Sequence, residues 1–406
     1  MHPQSAQRDV AVEKLAGIAE EARTWLFEAA APTWAAVDRD KAHLFPERLT
    51  IEGRDDPCPH RLFVQSRHVF SYCEMGRLGW NGPWREMVEG GVDLLLANGF
   101  RADGFCIHEF CPDGGVFDGR ADLYDQAFML LALAHAGRHS SRAEILGAAE
   151  ALGDLLDARW RHPTLGRMHE GEIAACPPFR QNPHMHLLEG YIAMHATAGG
   201  AQWRRRAQEM AELCSRCFVD PATGALLEYF DADLRPAAGE EGLIVEPGHC
   251  FEWAWLFEIL AAQGLADGAR LSDRMTAFAR RHGVCPARGV VINEVLTSGV
   301  TRNGDARLWP QTERLKAALA RFRRTGDPSE ADEALAAWTG LRKFLEAPRR
   351  GLWRDKLRVD GSWIAEPAPG SSLYHITCAV AELLDTVEAA RRRAEPAGDR
   401  GVSRRG

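Results

Sequence analysis

The feature that most constrains this chain is a helix start that recurs six times. The stretches at 65–70, 121–126, 181–186, 246–255, 308–313 and 372–376 share one build, a short polar or Pro-containing entry followed by an apolar helical run. With Arg67, Asp125, His184, His249, Gln311 and His375 as markers, the steps by subtraction are 58, 59, 65, 62 and 64. Each interval holds one helix out and another back, so the pattern predicts six helical hairpins. If the six marked helices run parallel around a common axis, their polar starts meet at one end and line a funnel.

A repeat that regular through 65–390 predicts one all-α catalytic domain, residues 1–394. Residues 395–406 turn to Pro, Gly, Asp and Arg and read as a disordered tail. The expected helical pairs are 70–78 with 84–98, 123–136 with 142–159, 186–198 with 202–217, 251–263 with 268–281, and 311–324 with 328–344. The run 374–393 closes the ring against the amphipathic N-terminal helices. Residues 38–60 lose periodicity and read as a loop or short strand excursion. The Gly/Asp-rich piece 105–120 reads as a turn between two short extended segments at the funnel rim.

Charge narrows the partners. The 406 residues carry a net charge of −8 and a pI near 6.0, which argues against nucleic acid and anionic membrane, because both need a basic face. A small neutral or locally charged substrate fits better. The ten cysteines follow a polar N-terminus without a secretory pattern, and read as reduced thiols of a cytoplasmic protein. Cys214 and Cys217 form a lone CxxC, expected inside a helix. No apolar run reaches the length of a membrane span.

The fourth helix start carries the densest chemistry. Pro247 suits a first helical position. His249 and Glu252 then share a face, with Trp253 at the four-residue spacing from His249. A proton-transfer group, a carboxylate and an aromatic wall suit a polar, ring-shaped substrate; a buried helix with a space-filling histidine is the competing reading. Asn182 and His186 share a face, whereas His184 lies about 200° round from His186 and makes a poor chelating partner for it. Asn182 before Pro183 could instead be an N-cap. Arg67, inside an apolar helix, needs either a carboxylate, for which Asp122 and Asp125 are candidates, or an anionic reaction centre. Trp309 could stack on a sugar face, with Gln311 in the same turn. His249 and His375 together are what proton abstraction next to a carbonyl requires, since imidazole titrates near neutrality.

These residues resemble the N-acylglucosamine 2-epimerase superfamily of sugar isomerases and epimerases. The matching words are Gln65-Ser66-Arg67, the stretches 122–128, 181–189 and 307–313, Glu246-Pro247-Gly248-His249 with 251–255, and Tyr374-His375. The resemblance covers about residues 25 to 390 and implies an (α/α)6 barrel. It implies that His249 and His375 are the acid/base pair, that Arg67, Asn182, His186 and Glu252 line the catalytic pocket, and that Tyr124 and Trp309 shape the sugar site. It implies no redox or metal cofactor. Asp125 and Gln311 complete the expected substrate contacts. Two departures, Leu49-Thr50-Ile51-Glu52-Gly53 before the Gln65 word and His68 after Arg67, are expected near the pocket mouth. The activity expected is an aldose–ketose isomerase on an unphosphorylated hexose, most like the mannose isomerases of the family, working as a monomer or homodimer. The alternatives are a sugar 2-epimerase and, further off, a glycoside or unsaturated-uronide hydrolase with Asp125 and Glu252 as its carboxylates.

Overall fold

The computed structural model describes residues 3–37 and 44–394; the expected tail at 395–406 lies outside the described residues. The helices follow in order: α1 (Pro3–Trp25), α2 (Ala31–Ala35), α3 (Leu62–Arg77), α4 (Trp84–Asn98), α5 (Leu123–Gly137), α6 (Ala143–Arg159), α7 (Asn182–Ala198), α8 (Ala201–Leu213), α9 (Pro247–Ala262), α10 (Ala269–Gly283), α11 (Leu308–Thr325), α12 (Pro328–Leu345) and α13 (Ser371–Ala394). The odd-numbered helices from α3 to α13 form an inner ring, closed where α13 packs on α3. Their partners α4, α6, α8, α10 and α12 lie outside, and α1 completes the outer layer against α13 and α12. The fold is an (α/α)6 barrel, as the repeat predicted.

Composition explains the two layers. Along α5 every residue from Leu123 to Ala136 except Tyr124 is buried, as expected of a helix that is apolar all round. On α10 burial falls on Ser272, Met275, Thr276, Phe278, Ala279 and Gly283, a single stripe on an otherwise charged helix. Local signals set the boundaries. Pro183, Pro247 and Pro328 stand in the first turns of α7, α9 and α12, Asp122 caps α5 through the amide of Tyr124 at 2.8 Å, and Gly326 in the left-handed region ends α11. Cys214 and Cys217 lie in a π-helical turn, Cys214–Phe218, that ends α8; both are free thiols.

What positions the site is a set of locks at the helix-start end. A two-residue strand leads into each of α3, α7, α9, α11 and α13 and pairs with an extended piece of the next repeat: 60–61 with 109–110, 179–180 with 229–230, 244–245 with 295–296, 306–307 with 356–357, and 368–369 back onto 48–49. For α5 a single bridge, Asp122 to Gly171, does the same. Gly171 is required there, because at φ +97° a Cβ would lie 2.3 Å from the carbonyl oxygen of Ala121. Three glutamines add a second lock. Gln65, Gln126 and Gln311 each stand fourth in their helix and bond both the N–H and the C=O of a residue 20 positions earlier, Phe45, Cys106 and Val291. Buried loop backbone is thereby satisfied, and the rim is tied to the inner helices.

Candidate active site

At the helix-start end a funnel of about 570 Å3 opens to solvent, lined by Arg67, Trp309, Ser371, Ser372 and His375 of the inner helices and by loop residues including Glu47, Arg48, Arg307 and Asp355. Several expected site residues are instead buried behind its wall: His186, His249 and Glu252 are each 5% exposed or less. They are joined to the funnel through aromatic contacts. The Trp309 ring lies 4.8 Å from that of His249 and 5.7 Å from that of His375, so one indole touches both imidazoles although they belong to different helices. His375 in turn contacts Tyr374, and Tyr374 contacts His186.

Both imidazoles are held by carboxylates. His249 Nδ1 lies 2.9 Å from Glu228 Oε2, and His375 Nδ1 lies 2.9 Å from Glu313 Oε1. An ionised carboxylate fixes the tautomer with the proton on Nδ1, leaving Nε2 as the working atom. The two rings then diverge. Burial pulls His249 down, but Glu228, Glu246 and Glu252 outweigh it and raise its pKa to about 9. Burial pushes His375 down to about 3; the Glu313 hydrogen bond opposes this, and Arg67 and Lys316 reinforce it. Near neutral pH the site therefore holds one imidazolium and one neutral imidazole, an acid and a base.

Arg67 is the cation of this pocket and has no carboxylate partner among the described residues. Its Nη2 donates to Tyr124 Oη at 2.8 Å and its Nη1 to the carbonyl of Ser371 at 3.3 Å, while Nε has no hydrogen-bond partner among the described residues. The guanidinium lies over Phe128 at 4.2 Å and Tyr374 at 4.8 Å. The bridge to Asp122 or Asp125 is corrected: Asp122 caps α5 and faces Arg180, and Asp125 is engaged elsewhere. Burial and then the neighbouring Glu313 push the Glu252 carboxyl well above the usual range. Its Oε1 has no partner among the described residues. His186, lowered to about 4 by burial, leans its Nδ1 on Glu189 at 3.3 Å.

Other expectations need correction. Asp125 is fully buried, accepts from the Phe63 amide at 3.2 Å and meets His108 Nδ1 at 2.7 Å, so neither a substrate contact nor a hydrolase carboxylate is left in it. Gln311 spends both ends of its amide on Val291 and the carbonyl of Arg307. Asn182 opens α7 without capping it; its Oδ1 is buried without a partner among the described residues. The N-cap is Gln181, whose amide joins Glu228 at 2.9 Å and the Trp253 indole N–H at 2.6 Å. Trp253 is thus a buried strut, and the aromatic wall is Trp309. His68 turns away from the funnel, Nε2 on the carbonyl of Pro46 at 3.2 Å and its ring stacked on Phe45.

The residues missed are Glu228, Glu313, Glu189 and Lys316. Helical spacing could have raised two of them, since Glu189 follows His186 by three and Lys316 follows Glu313 by three. Glu228 sits on a loop with no such signal. Two groups could present ligands to a metal, Glu228 with Glu246 and His249, and Glu252 with Glu313 and His375, each with its atoms within 4.8 Å. In both, a side-chain cation already stands beside a carboxylate: Arg307 at 2.6 Å from Glu246, and Lys316 Nζ at 2.6 Å from Glu313. His184 is no ligand either, since its Nε2 accepts from the Met168 amide at 3.0 Å.

Comparison with known proteins bears on the family and the fold. The family model of N-acylglucosamine 2-epimerase (GlcNAc 2-epimerase) matches residues 45–379. A mannose-6-phosphate isomerase of Rhizobium meliloti (strain 1021) is 39% identical over 380 residues, covering 91% of this chain and 97% of that protein. A cellobiose 2-epimerase of Bacteroides fragilis is 23% identical, covering 77% and 84%. A solved D-mannose isomerase superposes with a TM-score of 0.82 at 18% identity, over 91% of this chain and 98% of that one.

Proposed function

The chain belongs to the N-acylglucosamine 2-epimerase family, whose members compared above are sugar isomerases and epimerases, and from that premise we propose that it interconverts an aldose and a ketose, D-mannose and D-fructose, without phosphorylation. The observation that carries the reading is the pair of carboxylate-oriented imidazoles in opposite charge states around Trp309. In this scheme His249, as imidazolium, protonates the ring oxygen as the C1–O5 bond breaks, and the anomeric hydroxyl returns its proton to His249 as C1 becomes the aldehyde. Neutral His375 then takes the proton from C2 as the electron pair moves to the carbonyl oxygen, forming a cis-enediolate. His375, now the imidazolium, returns the proton to C1 while the proton of the O2 hydroxyl passes to O1, leaving the ketone at C2 and a hydroxyl at C1. Arg67, uncompensated by a carboxylate, faces the enediolate charge.

Support for an unphosphorylated sugar comes from the funnel mouth. Arg48 is paired with Asp56 at 2.6 Å, Arg61 with Glu47, Arg307 with Glu246 at 2.6 Å, and Lys356 with Glu366 at 2.8 Å, so a phosphate would have to displace a carboxylate. The name of the Rhizobium meliloti relative favours the phosphorylated alternative. The similarity to a cellobiose 2-epimerase favours a second one, in which the two histidines work on opposite faces of C2. NMR of the products in D2O separates the three. Fructose labelled at C1 from mannose supports the isomerase, glucose labelled at C2 supports the epimerase, and turnover confined to mannose 6-phosphate overturns the unphosphorylated reading.

A further inference from the structure

Two histidine–glutamate pairs of the same 2.9 Å geometry stand in one pocket, yet one imidazole is charged and the other neutral. The difference lies in what surrounds them. Glu228 is met by amides, Gln181 Nε2 at 2.9 Å and the N–H of Glu246 at 3.2 Å, and no Lys or Arg pairs with it among the described residues. Further carboxylates, Glu246 and Glu252, face His249. The charged and titratable groups that face His375 are Glu313 and Lys316 of α11, Arg67 of α3, Glu252 of α9 and, across the funnel mouth, Asp355.

Lys316 is unusual. Its side chain is 0% exposed, its Nζ lies 2.6 Å from Glu313 Oε2 and 3.6 Å from the centre of the Trp255 ring, and Glu252, Glu189 and Cys378 are its other titratable neighbours. A buried ammonium costs several kcal/mol unless it is paired, so burying one next to a catalytic dyad calls for an explanation. Glu313 uses one oxygen for Lys316 and the other for His375. We propose that Lys316 is a positioning residue that separates the two dyads into a base and an acid: its ammonium takes up the charge of Glu313, so that Glu313 can orient His375 through a hydrogen bond without holding an extra proton there. Trp255 keeps the ammonium in place through its ring face. Glu228, with no such ammonium, holds His249 as the imidazolium. This rests on the acid/base reading above and assigns a residue that maintains it.

The test is a histidine NMR titration of the full-length enzyme without sugar, using 13C,15N-labelled histidine and identifying the His375 signal by its loss in His375→Gln. In the wild type His375 should stay neutral from pH 9 down to about 5, in keeping with its lowered pKa. In Lys316→Met it should take up a proton, with its midpoint raised by about one to three pH units, the size of a lost charge neighbour. The acid limb of kcat/KM should move up by the same amount, and Lys316→Arg should keep the wild-type titration. A His375 midpoint that does not rise in folded Lys316→Met overturns the assignment. If Lys316→Met does not fold, the double variant Lys316→Met/Glu313→Gln decides: it removes both charges and keeps a carbonyl acceptor for Nδ1, so a neutral His375 supports the assignment and a charged one overturns it. Because the titration is read without substrate, an error about the sugar leaves this result intact, and a lack of deuterium exchange at C1 or C2 strikes only the proposed reaction.

Discussion

Replacing Arg67 by methionine tests the charge placement most sharply, because a large effect on rate and a small one on stability are expected together. The guanidinium has two hydrogen bonds, to Tyr124 and Ser371, and no ion pair among the described residues. A unit charge about 4 Å from a developing enediolate oxygen contributes ~4 kcal/mol at the effective dielectric of about 20 that suits protein sites. At about 1.4 kcal/mol per decade of rate this approaches 10³-fold, and removal of one oxyanion donor typically costs ~10²–10³ in kcat. The expected loss in kcat is therefore on the order of 10²–10³. Stability should change little. Desolvating an unpaired cation costs several kcal/mol, stacking on the rings returns only ~0.5–2, and an orphaned Tyr124 hydroxyl costs ~1–3 after the substitution, so the terms largely cancel. Methionine also keeps apolar contact with Phe128 and Tyr374. Lysine should not restore the rate, because its point charge cannot bond two adjacent oxygens at once. The assay is kcat under saturating sugar together with Tm, both on the same purified variant. A lowered Tm with kcat near wild type would refute the reasoning and make Arg67 a structural residue.

Four further outcomes are expected. Activity should fall above pH about 9, where His249 loses the proton it donates, and no acid limb should appear near pH 6.5, because His375 is already neutral well below it; a limb there contradicts the assignment of the base. Trp309→Ala should raise KM more than it lowers kcat, and Gly248→Ala should act in the same direction, since its new Cβ would lie 2.6 Å from the indole; a loss confined to kcat would place Trp309 in the chemistry instead. Gln311→Met should lower Tm, at a cost of about 1–3 kcal/mol for each buried backbone group left unpaired, with KM unchanged; raised KM at constant Tm would return Gln311 to the substrate. Dialysis against EDTA should leave activity in place, and its loss would show that one of the two Glu/His groups holds a metal.

The fold was legible because the repeat is periodic in the sequence itself. Apolar runs with Pro or polar entries marked all six inner helices, their spacing gave six helical hairpins, and the family resemblance added the (α/α)6 ring. The glutamine locks were equally periodic, yet Gln311 read as a substrate contact, because spacing places a residue on a helix start without saying which neighbour its amide meets. Asp125 failed for the same reason, satisfied by His108 and the Phe63 amide from other parts of the chain. Asn182 stands at the start of α7 but does not cap it; Gln181 holds the N-cap position without a side-chain capping bond.

The sequence by itself determined the helices, the end of the barrel at which they begin, and the identity of the two imidazoles, because those depend on local pattern and side-chain chemistry. Only the tertiary structure decided how differently the two imidazoles are charged. That property comes from charges brought within a few ångströms by folding, Glu228 from a loop 21 residues away for His249, and Glu313 from 62 residues away, with Lys316 beside it, for His375. In a buried pocket of low dielectric, such neighbours shift protonation more than any local sequence preference can.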